Sequence, residues 1–299
     1  MISIIIPSYR SEKIIGKVLA AIVSQKPKVN YEVILVDSTP GDQVDRVVKK
    51  YPTVVLLKQT DQTSASRGRN IGAAAAVGQL LLFIDSDVTL ANDALDKIWE
   101  CYENGSKIFS GSLLQDLTSG FSLAAFLEYC FFFSESFPGN PNNVRRNLPS
   151  GLLAIEEVLF QMYGPFLEYG RAEDTHLTEK IRKNGYALNY FPNIKAIFFQ
   201  DLNIGDYLKK CKLNGQNIPY VRLGEDLDLK KRIFFFFTMP LLSVMKFIVM
   251  AYRNLYYRKE LKYKMLFIVT SPLIAVGIFY WFLGGLITVF INPGINDKR

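Results

Sequence analysis

Residues 80–88 read LLLFIDSDV, five apolar residues followed at once by two aspartates that stand one residue apart. The apolar run predicts a buried strand, and a buried strand that ends in two carboxylates can hold a divalent cation against phosphate oxygens. Mg²⁺ and Mn²⁺ prefer such hard oxygen ligands. The same short pattern can also mark only a turn or a helix cap, so its meaning depends on its surroundings.

Predicted strands and helices alternate from the N-terminus to this stretch. Apolar runs predict strands over residues 2–6, 32–36, 54–57 and 80–84, and helical patterns lie between them over residues 11–25, 43–51 and 64–76. Short connections between alternating elements are typical of an α/β fold with a mostly parallel sheet. Because the first apolar run has no basic leader, we expect a strand there rather than a signal peptide.

Polar residues follow three of these strands. They are Pro7, Ser8 and Tyr9 after the first, Asp37 after the second, and Asp85, Ser86 and Asp87 after the fourth. Ligands of parallel sheets bind at the carboxyl ends of the strands, so these clusters should converge. The sequence has no GxGxxG after the first strand and no GxxxxGK[ST], which argues against a dinucleotide oxidoreductase and a P-loop NTPase. A diphosphate would have to be held by a metal ion and an arginine.

Composition limits the partners and the compartment. The 299 residues carry a net charge of +7, and lysines and arginines cluster near two C-terminal hydrophobic segments. This pattern favours anionic lipid over nucleic acid. Three scattered cysteines without metal spacing predict a reduced chain that faces the cytoplasm. His176 is the sole histidine, so a histidine-rich zinc site is excluded.

Five motifs in order resemble the family 2 glycosyltransferases with the GT-A fold. They are the strand ending in Pro-Ser-Tyr, the strand ending in Val-Asp-Ser, Arg69-Asn70-Ile71-Gly72, Phe83-Ile84-Asp85-Ser86-Asp87, and Glu173-Asp174. The resemblance covers roughly residues 1–220. It implies a GT-A, Rossmann-like mixed sheet that is mostly parallel and flanked by helices.

The resemblance also implies roles for individual residues. The nucleotide-sugar site would consist of Pro7, Ser8, Tyr9, Asp37, Arg69, Asp85, Ser86, Asp87 and Glu173. Asp85 and Asp87 would hold a divalent cation, Mg²⁺ or Mn²⁺, with Asp87 the stronger ligand. Asp174 would be the general base, although an acidic residue before a helix can also simply complement the helix dipole.

Two features depart from the family pattern. A histidine that often adds a third metal ligand is replaced by Gln200, a weaker neutral ligand, which leaves metal affinity open. The Gln-x-x-Arg-Trp motif of processive synthases is absent, so the transfer of a single sugar is favoured over polymer extension.

The C-terminal third predicts a membrane-associated region. We divide the chain into a catalytic domain, residues 1–222, and a membrane-associated region, residues 223–299, with hydrophobic segments 233–252 and 265–291. Within the catalytic domain, residues 1–115 would form the nucleotide-sugar half and residues 116–222 the acceptor half. The second segment is uncharged and, as a helix of about 40 Å, could span a bilayer.

The first segment contains Pro240 and Lys246. If both segments span, the basic loop 253–264 lies opposite the catalytic domain, against the positive-inside rule. A spanning hairpin and an interfacial first segment therefore both stay open. The aromatic stretch 121–137 predicts either core or a helix at the membrane surface, and the basic helical run 206–222 would lie along that surface.

These observations predict an inverting, hexosyltransferase-type enzyme at the cell membrane. Its partners would be a nucleotide-diphosphate sugar and a lipid or lipid-linked glycan acceptor, as in cell-envelope polysaccharide synthesis. One alternative is a glycosyltransferase that acts on polyprenyl phosphate. Another, of a different class, is a non-catalytic membrane protein that binds nucleotide sugars.

Overall fold

A computed structural model describes residues 1–116, 120–168, 172–199, 202–224 and 227–291. The strands are β1 Ile2–Ser8, β2 Tyr31–Asp37, β3 Val54–Lys58, β4 Leu80–Ile84, β5 Val88–Leu90, β6 Ile108–Gln115, β7 Asn143–Arg145, β8 Leu152–Glu156 and β9 Leu188–Phe198. The α-helices are α1 Ile15–Val23, α2 Gln43–Val48, α3 Ala65–Ala75, α4 Ala94–Glu103, α5 Leu123–Phe132, α6 Glu157–Tyr163, α7 Glu173–Lys183, α8 Ile204–Leu223, α9 Leu229–Tyr256 and α10 Leu261–Ile291.

Within the described residues, the strands form one mixed sheet in the order β3-β2-β1-β4-β8-β6-β9-β5, with β7 paired to β9. The first four strands in that order are parallel, whereas β8 is antiparallel to both of its neighbours. Every residue of β1 and β4 is buried, because helices cover both faces of the sheet. The predicted fold class is confirmed.

The predicted strands and helices up to β4 are all present, with shifted ends. β1 continues through Pro7 to Ser8, so the predicted end of this strand at residue 6 is wrong. β4 pairs with β1 only as far as Ile5, so beyond that point β1 is paired on one side and a residue without an N–H is tolerated. The helix expected over residues 11–25 is shorter, Ile15–Val23.

A second hydrophobic cluster lies outside the sheet and joins α5, α8, α9 and α10. Residues 124–131 of α5 are all buried, so the aromatic stretch is core there, as one of the two alternatives predicted. Both C-terminal hydrophobic segments lie within longer helices, α9 and α10, which are long and apolar enough to cross a membrane by length and composition. The division at residue 222 remains a prediction.

Candidate active site

A cavity of about 270 Å³ lies at the carboxyl ends of β1, β2 and β4. Its lining residues are Pro7, Ser8, Tyr9, Val36, Ser38, Thr63, Ser64, Ala65, Gly68, Arg69, Asp85, Ser86 and Asp87. The polar clusters predicted to converge at this edge of the sheet are therefore brought together around one cavity. Asp37 and Glu173 lie near it without lining it.

The start of α3 forms a wall of the cavity that the sequence prediction missed. The Ser64 hydroxyl accepts a hydrogen bond from the Arg67 amide and caps the helix. A Cβ at Gly68 would lie 3.0 Å from the Pro7 Cβ, and one at Gly72 would collide with Ile5. These glycines let α3 lie directly against β1, which places its N-terminal amides at the cavity, where they favour an anion. A serine cap followed by glycines four residues apart is the signal that could have found this wall.

Asp37 is completely buried beneath the cavity. Its carboxylate accepts hydrogen bonds from the hydroxyls of Ser8 and Thr39, each at 2.7 Å, and from Lys58 Nζ at 2.8 Å. The contact of Asp37 with the nucleotide stays a prediction. In the structure Asp37 holds Ser8 in place, and Lys58 is a neighbour that the sequence prediction missed.

Arg69 joins two carboxylates that are distant in sequence. Its Nη2 lies 2.5 Å from Asp85 Oδ1 and its Nη1 lies 2.9 Å from Glu173 Oε1. The Arg69 side chain is only 3% exposed, and its guanidinium lies 5.7 Å from the ring centre of Phe166. Both Nη groups are already held by carboxylates, so the geometry makes Arg69 a positioning residue for the two acids.

Asp174 lies in the first turn of α7, directly after Glu173. One carboxylate oxygen accepts a hydrogen bond from the Ser150 amide at 3.2 Å and the other from the Thr175 amide at 2.6 Å. Burial raises the pKa of the Asp174 carboxyl, and the two amides oppose that shift. Ala172 enters the helix with a φ of 74°, a left-handed turn that directs the chain into α7. The neighbouring His176 is exposed.

The start of β8 links Asp174 to Asp85. The Gly151 carbonyl accepts a hydrogen bond from the Asp85 amide at 3.4 Å. The adjacent Ser150 amide donates a hydrogen bond to the Asp174 carboxylate. A Cβ at Gly151 would lie 2.8 Å from Asp85 Oδ2, so the glycine leaves room for this carboxylate. Two independent connections, Arg69 and the segment 150–151, therefore fix the relative position of the two acids.

Asp85 and Asp87 fit a divalent cation as a pair. Burial, and then the charge of Asp85, raise the pKa of Asp87 to about 7, which identifies a site where negative charge lacks compensation. Among the described residues, no group of three or more metal-ligating side chains is found. Mg²⁺ is commonly held by one or two carboxylates together with substrate phosphates and water, and this pair meets that requirement. Gln200, the candidate third ligand, lies outside the described residues.

An ion pair between a half-exposed lysine and a buried glutamate connects the Asp87 end of the site to the second hydrophobic cluster. Lys210 Nζ on α8 lies 2.7 Å from Glu128 Oε1 on α5, and the Glu128 side chain is only 4% exposed. Burial and Asp85 dominate the raised pKa of Asp87, but Lys210 lowers it and Glu128 raises it. The sequence prediction missed both residues because they are distant from every motif.

Comparisons with known proteins find glycosyltransferases similar to the region that contains the cavity. The family model described as Glycosyl transferase family 2 matches residues 3–143, a region that includes the whole cavity but ends before Glu173 and Asp174. A poly(ribitol-phosphate) beta-glucosyltransferase of Bacillus spizizenii is 37% identical over 120 residues, 38% of this chain and 19% of that protein. A dolichol-phosphate mannosyltransferase of Pyrococcus furiosus is 27% identical over 115 residues, 37% of this chain and 32% of that protein.

Solved structures share the fold over nearly the whole chain. The mannosyltransferase PcManGT of Pyrobaculum calidifontis, in complex with GDP-Man and Mn²⁺, has a TM-score of 0.63 at 15% identity and covers 97% of this chain and 87% of its own. Residues 1–349 of Staphylococcus aureus TarS, in complex with UDP-GlcNAc, give a TM-score of 0.56 at 17% identity and cover 96% of this chain and 90% of that one. Residues 3–143 therefore match the family 2 glycosyltransferases, and the chain shares the GT-A fold of these solved structures.

Proposed function

We propose that the chain transfers one sugar, with inversion, from a nucleotide-diphosphate donor to a hydroxyl of a lipid or lipid-linked acceptor. Asp174 is the general base, and Asp85 and Asp87 hold a divalent cation beside the diphosphate. The catalytic domain works at the cytoplasmic face of the cell membrane. The similarity of residues 3–143 to the family 2 glycosyltransferase model favours this catalytic role over a purely non-catalytic role in binding nucleotide sugars.

The observation that carries the proposal is the fixed geometry between Asp174 and the aspartates of β4. Glu173, which precedes Asp174, is bound through Arg69 to Asp85. The segment 150–151 makes a second link, between Asp174 itself and Asp85. Rate acceleration through positioning requires reacting groups that do not move relative to each other, and these links supply that rigidity.

The chemistry needs charge control on two sides of the sugar. In an inverting transfer the acceptor hydroxyl attacks the anomeric carbon, and the diphosphate leaves from the opposite face. A cation at Asp85 and Asp87 would neutralise charge on the leaving diphosphate. The amides at the start of α3 add positive dipoles at the same place, and Asp174 accepts the proton of the attacking hydroxyl.

The named relatives support the substrate class. Two structural neighbours were solved in complex with GDP-Man and Mn²⁺ and with UDP-GlcNAc, which supports a nucleotide-sugar donor and a divalent cation here. Two sequence relatives are named for polyol-phosphate and dolichol-phosphate acceptors. The second of these favours the alternative of a polyprenyl-phosphate acceptor, whose ionised oxygen would need no general base.

Donor-induced stabilisation tests the proposal. A panel of nucleotide sugars is added to the full chain with and without Mn²⁺, and the melting temperature is measured, because a ligand that binds only the folded state raises it. We expect one donor class to stabilise the chain only with Mn²⁺, and Asp87→Asn to abolish the effect. Asp42→Asn, at a surface ion pair, is the matched control. Stabilisation by a donor without any dependence on Mn²⁺ would overturn the cation assignment.

A further inference from the structure

Helix α10 is covered by the catalytic domain along most of its length. Near its start, the Tyr263 ring lies 6.4 Å from that of Phe126 on α5. Near its end, the Thr288 hydroxyl donates to the Gln216 carbonyl of α8 at 2.8 Å. α10 has 31 residues and is about 46 Å long, so no stretch long enough to cross the hydrocarbon core, about 30 Å thick, lies clear of the domain.

Small residues bring α8 and α10 into direct backbone contact. A Cβ at Gly215 would collide with the Trp281 carbonyl, and one at Gly284 would collide with the Lys212 carbonyl. Trp281 Nε1 also donates to Asn214 Oδ1 at 2.8 Å. Lipid chains therefore have no access to this side of α10.

Helix α8 is too polar to enter the hydrocarbon core. Its charged and amide side chains are Asp206, Lys209, Lys210, Lys212, Asn214, Gln216, Asn217 and Arg222. If α10 crossed the bilayer, α8 would be drawn in beside it, and each charged side chain near the bilayer centre would oppose insertion. The packing of α8 on α10 therefore argues against a hairpin that spans.

Helix α9 is tied to the same body near both of its ends. Arg232, in its first turn, donates to the carbonyls of Val289 and Phe290 on α10. Near the other end, Asn254 Nδ2 donates to the Cys130 carbonyl of α5 at 3.3 Å, and Arg253 pairs with Glu135 at 2.7 Å. The two helices thus form a layer against the domain, with one face of the layer left outside.

The outside of this layer carries many exposed apolar side chains, and we call it the hairpin face. Among these side chains are Phe234, Phe237, Leu241, Val244, Val269 and Phe279. Exposed lysines lie at both ends of this face. Lys230 lies in the first turn of α9, and Lys259 and Lys262 lie at the turn between the two helices. An apolar face between cationic ends is complementary to a bilayer surface with anionic headgroups.

We infer that the α9–α10 hairpin lies in the plane of the membrane, with the hairpin face embedded in one leaflet that contains anionic lipid. The turn between the helices then stays on the same side of the bilayer as the catalytic domain, and its cations satisfy the positive-inside rule. A lipid-linked acceptor would reach the site by lateral diffusion in that leaflet.

Sidedness of the turn tests this arrangement. Lys259→Cys at the turn and Glu103→Cys on the catalytic domain are each made in the Cys101→Ser background, since Cys130 and Cys211 are buried. In sealed inverted membrane vesicles, a membrane-impermeant maleimide should label both cysteines to the same extent before detergent is added. Labelling of the two cysteines from opposite sides would overturn the inference.

Vesicle flotation tests the occupant of the hairpin face. The full chain should float with vesicles of phosphatidylcholine and phosphatidylglycerol, and Phe237→Lys with Leu241→Lys should reduce the bound fraction roughly tenfold or more. Val77→Lys, at an exposed apolar residue of the catalytic domain, should float like the unmodified chain. A chain that stays unbound as a dimer would show that a second copy covers the face and would contradict the inference. Neither measurement uses donor or acceptor, so both are independent of the transfer reaction.

Discussion

Arg69 Nη2 lies 2.5 Å from Asp85 Oδ1, and this buried ion pair fixes the first aspartate of the β4 motif. The same guanidinium reaches Glu173 on α7. The planar fork of arginine can bind two carboxylates at once, whereas the ammonium group of lysine is a single point charge. The distance between the cation end and the base end of the site therefore depends on this side chain.

Replacement of Arg69 by lysine should disconnect the cation end of the site from the base end. We expect Arg69→Lys to lower kcat about 100-fold, because small displacements of reacting groups are costly, and to lower the free energy of unfolding by about 1–3 kcal/mol. Steady-state kinetics and urea unfolding measure the two effects. Arg67→Lys, two residues away and exposed, is the control. Equal effects of both variants would mean that Arg69 has no special positioning role.

Gly72 sets the distance between α3 and β1. Alanine is the better helix former by about 1 kcal/mol, but its Cβ would collide with Ile5, and overpacking costs about 1–3 kcal/mol. Gly72→Ala should therefore destabilise the chain, and by shifting α3 it should also weaken donor binding. Gly16→Ala in α1, where the new Cβ meets Val47 at an ordinary 3.4 Å, should stabilise it. A stabilising Gly72→Ala would contradict this packing.

The pKa of Asp87 predicts how stability depends on pH without a cation. Burial and Asp85 raise that pKa from 3.8 to about 7, so between these values the folded state binds more protons than the unfolded state. Stability should therefore fall as pH rises from about 4 to 7 and level off above. Mn²⁺ binds the ionised carboxylates, so it should restore the melting temperature most at pH 8. Thermal unfolding of the unmodified chain and of Asp87→Asn checks this prediction, because the variant should lose the increase in melting temperature that Mn²⁺ causes.

The parallel half of the fold and most of the cavity were predictable because they depend on local patterns. Apolar runs define β1, β2 and β4, and the polar residues after them must meet at one edge of a parallel sheet. The roles of Arg69 and Asp37 were not predictable in the same way, because their partners come from residues far away in the chain. A motif shows that an arginine is near the site, but only packing shows that Asp85 and Glu173 each pair with one of its Nη groups.

In the membrane-associated region, too, contacts between residues distant in sequence were not predictable. The hydrophobic segments within α9 and α10 were predictable from the sequence, and their length alone is compatible with a spanning hairpin. The contacts of Gly215 and Gly284 that seat α8 on α10 join residues about 70 positions apart. No hydropathy pattern reveals such a contact, so the orientation of the hairpin had to come from the structure.

In the proposed reaction Asp174 removes a proton from a neutral acceptor hydroxyl, while a cation held by Asp85 and Asp87 would neutralise charge on the diphosphate. Asp174→Asn retains the side-chain shape and an oxygen to accept a backbone amide, so the fold should persist. Its matched control is His176→Gln, on the exposed side of the same helix turn.

The most direct measurement is the single-turnover rate of sugar transfer by Asp174→Asn, with donor binding measured in parallel by thermal stabilisation. We predict a rate about 100- to 10,000-fold lower, as expected for loss of a general base, with donor binding intact and His176→Gln unaffected. Transfer by Asp174→Asn at the unmodified rate would contradict the assignment of the base and would indicate an acceptor that is already ionised, such as a polyprenyl phosphate.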